Sequence, residues 1–190
     1  MPADYDGDGK TDLAVYDRTA GDWYILRSTA GFTILQFGFS GVIPVPADYD
    51  EDGKADLAVF DPPSGNWYIL RSRTGFGITQ FGFYGVTPVP ADYDGDGQAD
   101  LGVYHRSAAT WYLQQSRAGF KIQQFGLGNV VPVPADYDGD GHADIGVYDL
   151  ASGYWRLLES KVGNEATPFG FSGAVPMLTQ YWINRAFGHP

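Results

Sequence analysis

Short segments with apolar residues at both odd and even positions recur along the chain. Residues 55–60 read Ala-Asp-Leu-Ala-Val-Phe, and residues 67–71 read Trp-Tyr-Ile-Leu-Arg. Runs of five or six residues with this composition, bounded by Gly, Pro, Asp and Ser, predict β-strands. Because apolar side chains would point to both sides of each strand, we expect a sheet that is covered on both faces.

Two further segments complete the pattern, and they differ in polarity. Residues 45–47 read Val-Pro-Ala, and these small side chains suit an innermost strand in a crowded place. Residues 76–81 mix apolar with polar residues, and the third copy of this segment carries Lys121, Gln123 and Gln124. Polar and charged side chains of this kind are typical of an outer edge strand. The pattern therefore predicts units of four strands.

The whole pattern repeats every 44 residues without an insertion, as four marker groups show. The markers are the Asp-Tyr-Asp tripeptides starting at Asp4, Asp48, Asp92 and Asp136, the tryptophans Trp23, Trp67, Trp111 and Trp155, the Phe-Gly pairs at Phe37, Phe81, Phe125 and Phe169, and the prolines Pro44, Pro88, Pro132 and Pro176. A four-stranded propeller blade takes about 40–45 residues. A sandwich of sixteen strands would not need so strict a period.

We therefore predict an all-β fold, a β-propeller of four 44-residue, four-stranded blades that forms a single domain over residues 1–190. The repeats are residues 1–44, 45–88, 89–132 and 133–176, and residues 177–190 are expected to form a C-terminal closing strand or tail.

The two ends of the chain raise the question of how the propeller closes. The chain begins within repeat sequence, without a signal peptide, which favours a mature or excised piece of a longer product. Gln180 and Trp182 replace the first two aspartates of a fifth repeat, so no fifth acidic loop is expected. We expect the C-terminal segment to pair with the strands of the first repeat, within the chain or across a dimer. A monomeric four-bladed ring is slightly favoured over an eight-bladed ring made by a homodimer.

Composition limits the cellular compartments and the classes of binding partner that we expect for this chain. The chain has no Cys, so no disulfide can stabilise it, which is compatible with the cytosol or with a secreted protein stabilised by a metal. The formal net charge of −11 argues against nucleic acid and anionic membranes as partners. No apolar stretch approaches the roughly 18 residues of a membrane span, so no membrane insertion is expected.

The acidic residues are concentrated in a loop that follows the first predicted strand of each repeat. In the first copy, counted from Asp4 as position 1, carboxylates stand at positions 1, 3, 5 and 9 and a glycine stands at position 6. A tight turn directs alternate oxygens toward one hard cation, as in the first part of an EF-hand loop, and the carbonyl of position 7 can add a ligand. The loop departs from an EF-hand because it joins strands and because Val15 stands where the bidentate Glu would be.

The same spacing occurs in all four repeats and predicts one metal site in each. The predicted carboxylate ligands are Asp4, Asp6, Asp8 and Asp12; Asp48, Asp50, Asp52 and Asp56; Asp92, Asp94, Asp96 and Asp100; and Asp136, Asp138, Asp140 and Asp144. The predicted carbonyl ligands at position 7 are those of Lys10, Lys54, Gln98 and His142. Oxygen ligands on a flexible loop favour Ca²⁺ over transition metals and Mg²⁺. The alternative is four solvated Asp-Gly turns, but four of them in register favour the metal.

The predicted ligands account for 16 of the 23 acidic residues, and four Ca²⁺ ions, with two positive charges each, would change the formal charge from −11 to −3. Outside these loops the sequence shows few residues in patterns typical of catalytic, metal or sugar-binding sites. Nucleophile-elbow, P-loop and zinc motifs are missing, and no acid–base pair stands apart from the loops, so we expect a protein that is not an enzyme. His105, His142 and His189 share no repeat position, which argues against a histidine site. The Trp-Tyr pairs could stack on sugars, but their positions within strands favour packing between blades.

The repeat resembles the FG-GAP family, also called the VCBS-type repeat. The matching residues are Phe37-Gly38, residues 41–44, Asp48-Tyr49-Asp50 with Asp52-Gly53 and Asp56, and Leu57-Ala58-Val59-Phe60. The resemblance covers residues 1 to about 176 and implies a calcium-binding propeller like that of integrin α-subunits, some fungal lectins and many secreted bacterial proteins. It also implies that the sixteen aspartates are the metal ligands. Many bacterial relatives carry Arg where this chain has Asp17, Asp61, His105 and Asp149, so no role of that Arg transfers.

These observations lead to a functional hypothesis with two alternatives. We expect a non-catalytic, calcium-stabilised module of a secreted or cell-surface protein that binds a protein or a glycan, or acts in adhesion. The loops around residues 17–22, 61–66, 105–110 and 149–154 differ between repeats, as recognition loops on a rigid scaffold do. The alternatives are a glycan-binding lectin and a structural repeat module of a larger secreted protein or enzyme.

Overall fold

The computed structural model describes residues 2–127 and 129–177 of the chain. The segment from residue 178 onward, which holds most of the predicted closing strand or tail (residues 177–190), lies outside the described residues. Within the described ranges no helix reaches the length and hydropathy that a membrane span would require.

The structure is built from antiparallel strands joined by short turns. The strands are β1 (Leu13–Asp17), β2 (Asp22–Arg27), β3 (Gly31–Gln36), β4 (Ile43–Pro44), β5 (Leu57–Asp61), β6 (Asn66–Arg71), β7 (Gly75–Gln80), β8 (Thr87–Pro88), β9 (Leu101–His105), β10 (Thr110–Gln115), β11 (Gly119–Gln124), β12 (Val130–Pro132), β13 (Ile145–Asp149), β14 (Tyr154–Glu159) and β15 (Gly163–Pro168). A 3-10 turn (Arg106–Ala108) lies between β9 and β10.

The strands form four sheets, one for each repeat. Their orders are β1-β2-β3, β4-β5-β6-β7, β8-β9-β10-β11 and β12-β13-β14-β15. Neighbouring strands pair in the same register in each sheet; for example, Val59 is opposite Tyr68 and Val15 is opposite Tyr24. The predicted all-β class and β-propeller of four antiparallel blades are thus confirmed.

The innermost strand differs in detail from the prediction. It comprises Ile43 and Pro44 in the second blade, whereas the sequence predicted residues 45–47. The pairing continues past it only through single contacts, in which the Val45 amide donates to the Ala58 carbonyl and Ala47 bridges to Asp56. Pro46 has no amide hydrogen, and this interrupts the ladder. In the first blade the described residues give three strands, and Ala3 alone bridges to Asp12 on the inner side.

The four blades fall into two compact units, the first containing β1–β7 and the second containing β8–β15. In the first unit, Leu57 and Val59 pack against Trp23, Ile25 and Ala14 of the preceding blade. In the second unit, Ile145 and Val147 pack in the same way against residues of the preceding blade that include Trp111 and Leu113. Apolar residues on both faces of the second strand of a blade are therefore explained by packing between successive blades.

The outer strands and the tryptophans also follow the sequence prediction. β7 exposes most of its residues, as expected of an edge strand. Trp23, Trp67 and Trp111 are fully buried, and the indole N–H of each donates to the carbonyl of the Phe in the Phe-Gly pair (Phe37, Phe81 and Phe125) at 2.7–3.0 Å. These tryptophans are core residues, which confirms packing over sugar stacking for them.

Candidate metal centre

Each acidic loop is closed at its base by an antiparallel bridge between the residue before position 1 and the residue at position 9. In the first loop the Asp12 amide donates to the Ala3 carbonyl at 2.8 Å, and in the second the Asp56 amide donates to the Ala47 carbonyl at 2.8 Å. The loop thus joins the innermost strand to the second strand of the blade, where the sequence predicted it.

The aspartate at position 9 holds three segments together. In the second blade, Oδ2 of Asp56 accepts the Tyr49 amide at 2.9 Å, and Oδ1 accepts the Ser72 amide at 2.7 Å. The equivalent bonds to Asp12, Asp100 and Asp144 occur in the other blades. Burial raises the pKa of Asp56 to about 6, and the pKa of Asp100 rises to about 6 for the same reason. A buried carboxylate at this position is satisfied mainly by backbone amides.

The aspartate at position 1 organises the loop itself. Oδ1 of Asp4 accepts the Gly7 amide at 2.6 Å, and Oδ2 accepts the Gly9 amide at 2.8 Å. Asp136 accepts the Gly139 amide at 2.7 Å and the Gly141 amide at 3.0 Å in the same way. Both glycines of the first loop have a positive φ, which a residue with a side chain adopts at a cost. The Asp-x-Asp-Gly-Asp-Gly sequence therefore folds around its own first carboxylate.

The aspartate at position 5 is held by a serine that the sequence analysis did not identify. The Ser28 hydroxyl donates to Oδ2 of Asp8 at 2.5 Å, and the Ser160 hydroxyl donates to Oδ2 of Asp140 at 2.5 Å. Ser72 bonds to Asp52, and Ser116 bonds to Asp96, in the same manner. These serine bonds are the main reason why the pKa values of Asp8, Asp52 and Asp140 are lowered. The 44-residue spacing of the serines was the signal that could have revealed them.

The aspartate at position 3 differs from the others because only one of its oxygens is engaged. Oδ2 of Asp50 accepts the amides of Arg73 and Thr74, which lie in the turn after β6, at 3.0 and 2.9 Å. Oδ1 of the same residue is buried and has no hydrogen-bond partner among the described residues. The same is true of Oδ1 in Asp6, Asp94 and Asp138. One unpaired, buried carboxylate oxygen therefore recurs in each of the four loops.

These oxygens lie close to others of the same loop. In each blade three carboxylates offer oxygens that are all within 4.8 Å of one another: Asp4, Asp6 and Asp8; Asp48, Asp50 and Asp56; Asp92, Asp94 and Asp96; and Asp136, Asp138 and Asp144. Positions 1 and 3 belong to every group, and the third member is position 5 or position 9. A buried, unpaired carboxylate oxygen costs free energy unless a proton or a cation satisfies it. The donor set fits a hard cation such as Ca²⁺.

The structure thus brings the aspartates at positions 1 and 3 together with a third aspartate in every loop. The fourth aspartate of each loop and the position 7 carbonyls of Lys10, Lys54, Gln98 and His142 stay predictions as ligands. For Lys10, Lys54 and His142 the structure gives the backbone amide a role, because it donates to Oδ1 of the aspartate at position 5.

Successive loops are joined to one another through the backbone. The amide at position 8 of one loop donates to the carbonyl of position 1 in the preceding loop, from Ala55 to Asp4 at 2.6 Å and from Ala143 to Asp92 at 2.6 Å. The side chain at position 7 also lies over the preceding loop. A Cβ atom added at Gly7 would come within 2.9 Å of the Lys54 side chain. The first loop is therefore linked to the second, and the third loop is linked to the fourth.

The opposite ends of the strands carry turns that begin at Asp17, Asp61, His105 and Asp149. Oδ1 of Asp17 accepts the Thr19 amide at 2.8 Å, and Oδ2 of Asp149 accepts the Ser152 hydroxyl at 2.6 Å. His105, at the same position in the third blade, contacts Ser107 at 2.9 Å. Each of these side chains makes its contact within its own turn.

Comparison with known proteins agrees with this architecture. The FG-GAP-like repeat model matches three overlapping segments, residues 4–59, 48–103 and 92–147. Each segment runs from one acidic loop to the strand that follows the next loop, so the match covers the feature that repeats in the structure. No curated protein matches the sequence. Because the matched segments span most of the chain, the protein belongs to the FG-GAP-like repeat family.

Proposed function

We propose that this chain is a calcium-stabilised, non-catalytic binding module of a secreted or cell-surface protein. The observation that carries the proposal is the buried carboxylate oxygen at loop position 3, which lacks a hydrogen-bond partner within residues 2–127 and 129–177 in Asp6, Asp50, Asp94 and Asp138. Each of these residues belongs to a group of three carboxylates whose oxygens lie within 4.8 Å. Bound Ca²⁺ would supply the positive charge that such a group requires.

The role of the metal is structural in this proposal. The carboxylates are anchored to backbone amides of the loop, of the second strand and of the turn after the third strand, as Asp50 and Asp56 illustrate. Holding the carboxylates together would therefore hold these segments of one blade together. These contacts assign the carboxylates a structural role, in keeping with a module without catalytic chemistry.

Calcium removal tests the stabilising role. A cation that binds only the folded state adds RT ln(1 + [Ca²⁺]/Kd), about 2.7 kcal/mol for each site at a hundredfold excess over Kd. Against a typical total stability of roughly 5–15 kcal/mol, four such sites would dominate. We expect about four calcium ions for each chain by calorimetry, and a melting temperature many degrees lower in excess chelator. Equal melting curves with calcium and with chelator, in protein verified to be free of metal, would refute the calcium proposal.

The binding surface is proposed to lie on the turns at the ends of the strands remote from the acidic loops. These turns read DRTAGD at residues 17–22, DPPSGN at 61–66, HRSAAT at 105–110 and DLASGY at 149–154. Variable sequence on a constant scaffold is a feature of recognition loops. Calcium-loaded protein should capture a protein or glycan partner from extracts of matched cells, and replacing one turn with the sequence of another should alter capture. No capture by any turn variant or by the parent would count against a binding role.

Glycan binding is the second candidate, and exposed aromatic side chains of the first unit favour it. Tyr84 is 81% exposed, and the neighbouring Phe83 and the equivalent Phe39 are also exposed. Exposed aromatic faces stack on sugar rings. If the partner is a glycan, Tyr84→Ser should weaken binding on a glycan array without changing the melting temperature. Arg18→Ser, on a variable turn, serves as a control for general surface change.

A further inference from the structure

The turn that follows β2, β6, β10 or β14 carries a residue that contacts the acidic loop of the same blade. These turn residues recur every 44 residues and are Thr29, Arg73, Arg117 and Lys161. The backbone amide of each donates to Oδ2 of the aspartate at position 3, at 3.0 Å in all four blades. The backbone contact is therefore constant, and the side chain of the turn residue is the part that varies.

In the second and third blades the turn residue is an arginine whose guanidinium bonds to the loop. Nη2 of Arg73 donates to the carbonyl oxygen of Asp50, and Nη1 donates to the carbonyl oxygen of Glu51 at 3.4 Å. Nη2 of Arg117 donates to the carbonyl oxygen of Asp94 at 2.9 Å. Each guanidinium thus brings a positive charge to the backbone of position 3, the residue whose carboxylate carries the unpaired oxygen.

The first blade shows the same contact with a neutral turn residue. The hydroxyl of Thr29 donates to Oδ2 of Asp6 at 2.5 Å. This hydrogen bond is the main cause of the lowered pKa of Asp6. The turn residue can therefore hold the position 3 aspartate with a hydroxyl, so the positive charge of the arginines is an addition to the loop and not a requirement of its fold.

The arginines act on carboxylates that are buried and incompletely bonded. Asp50 is 4% exposed and Asp94 is 5% exposed, and Oδ1 of each lacks a hydrogen-bond partner within the described ranges. Both residues belong to groups of three carboxylates whose oxygens lie within 4.8 Å of one another. Without a cation these carboxylates repel one another. A guanidinium on the backbone of the same loop offsets part of that repulsion.

The charge of Arg73 also reaches a second aspartate of its loop. The hydroxyl of Ser72 is the main cause of the lowered pKa of Asp52, and the charge of Arg73 acts in the same direction. A charge that favours the ionised form of an empty loop opposes the binding of a second cation there, because two positive charges repel each other. The same arginine should therefore have opposite effects on the empty and the loaded loop.

We propose that Arg73 and Arg117 are the resident counter-charges of the second and third acidic loops. Each guanidinium stabilises its loop while the loop is empty and lowers the affinity of that loop for calcium. The inference rests on the calcium sites proposed above. It gives the two arginines the role of setting the calcium concentration at which these loops load.

Arg73→Gln tests the proposal, because glutamine removes the charge and keeps a polar side chain. Calorimetric titration should show one site whose calcium affinity rises by roughly three- to tenfold, since an exposed charge acts on a divalent ion through a largely aqueous medium. The melting temperature in chelator should fall by a few degrees. Both changes should shrink in salt of about 1 M, where the Debye length is about 3 Å. A residue that only supports the fold would not raise calcium affinity.

Three further variants make the test specific. Arg18→Gln, in the turn between β1 and β2, should leave calcium affinity and melting temperature unchanged. In an Asp50→Ala background, Arg73→Gln should no longer alter calcium affinity. Arg117→Gln repeats the measurement on the third loop.

The outcomes separate this inference from the calcium proposal on which it rests. A parent protein that binds no calcium would refute both. Calcium binding by the parent with equal or weaker affinity in Arg73→Gln and Arg117→Gln would overturn the counter-charge role alone. An unchanged melting temperature of both variants in chelator would also overturn it, because that measurement does not involve calcium.

Discussion

At the scale of single residues, the two carboxylate oxygens of each aspartate at position 3 have different roles: one is bonded to the protein, and the other is the candidate metal ligand. Oδ2 of Asp50 fixes the turn that follows β6, whereas its buried Oδ1 has no hydrogen-bond partner in the part of the chain that the structure describes. Position 9 shows the opposite behaviour, because both oxygens of Asp56 accept backbone amides. A carboxylate that is already satisfied by the fold gains less from a cation than one that is not.

Asp50→Ala should therefore remove one calcium ion from the stoichiometry and lower the melting temperature in calcium more than in chelator. The neighbouring Glu51→Gly is the control. Glu51 occupies position 4 with a φ of 57°, a conformation that glycine adopts without strain. The control should retain full stoichiometry and melt at the same or a slightly higher temperature. Titration calorimetry and thermal melting measure both quantities, and an unchanged stoichiometry for Asp50→Ala would remove Asp50 from the ligand set.

Ser72→Ala tests the serine that holds position 5. The Ser72 hydroxyl is the main cause of the lowered pKa of Asp52. Its loss should raise that pKa toward the ordinary value and weaken calcium binding at this loop by a few-fold. A hydrogen bond contributes about 0.5–1.5 kcal/mol, and partial exposure places this one at the low end. Ser64→Ala, in the turn between β5 and β6, is the control that should leave calcium affinity unchanged. Equal affinities for both variants would contradict the assignment.

At the scale of elements, the turn between the second and third strands of a blade shows how the repeats tolerate one exception. Gly65 has a φ of 71°, and a Cβ atom added there would lie 2.4 Å from the Gly82 carbonyl oxygen. Ala109 stands at the equivalent position in the third blade with a φ of 50°, after a 3-10 turn that is absent from the corresponding described residues 17–22, 61–66 and 149–154. The altered turn is how the third blade accommodates a side chain.

Gly65→Ala should therefore destabilise the protein by more than about 1–2 kcal/mol, the approximate cost of the left-handed conformation alone. The reciprocal variant, Ala109→Gly, should be neutral or slightly stabilising, because relief of strain is offset by the greater freedom of glycine in the unfolded chain. Chemical denaturation measures both. Similar losses for the two variants would show that the 3-10 turn does not relieve the strain.

The sequence predicted most elements because their causes are local and repeated. Apolar residues at consecutive positions predicted strands at residues 55–60 and 67–71, and the structure has them at Leu57–Asp61 and Asn66–Arg71. The acidic spacing identified the loops. The innermost strand was misplaced because the prediction relied on the small side chains of residues 45–47 and did not take account of the ladder hydrogen bond that Pro46 cannot donate. The Ser28–Asp8 contact was missed because it joins residues 20 apart.

At the scale of the whole molecule, the buried carboxylates make the metal-free protein sensitive to pH. Burial raises the pKa of Asp56 and Asp100 to about 6, above the ordinary value of 3.8. Between these values the folded state binds more protons than the unfolded state, so stability falls as pH rises through the window. In chelator the melting temperature should therefore increase as the pH is lowered from 7 to about 5. With calcium present the trend should reverse, because protons compete with the metal. A flat profile in chelator would contradict the raised pKa values.

The hydrogen bond from Ala55 to Asp4 has a consequence for how the sites fill. The carbonyl that receives it belongs to position 1 of one loop, and the amide that donates it precedes position 9 of the next. A cation that orders Asp56 also orders the neighbouring Ala55 amide, which donates to the Asp4 carbonyl. Binding of calcium to one loop therefore lowers the conformational-entropy cost of ordering the neighbouring loop. Calcium should consequently bind with positive cooperativity, with a Hill coefficient above one. The array would then pass from empty to loaded over a narrower range of calcium than four separate sites would allow.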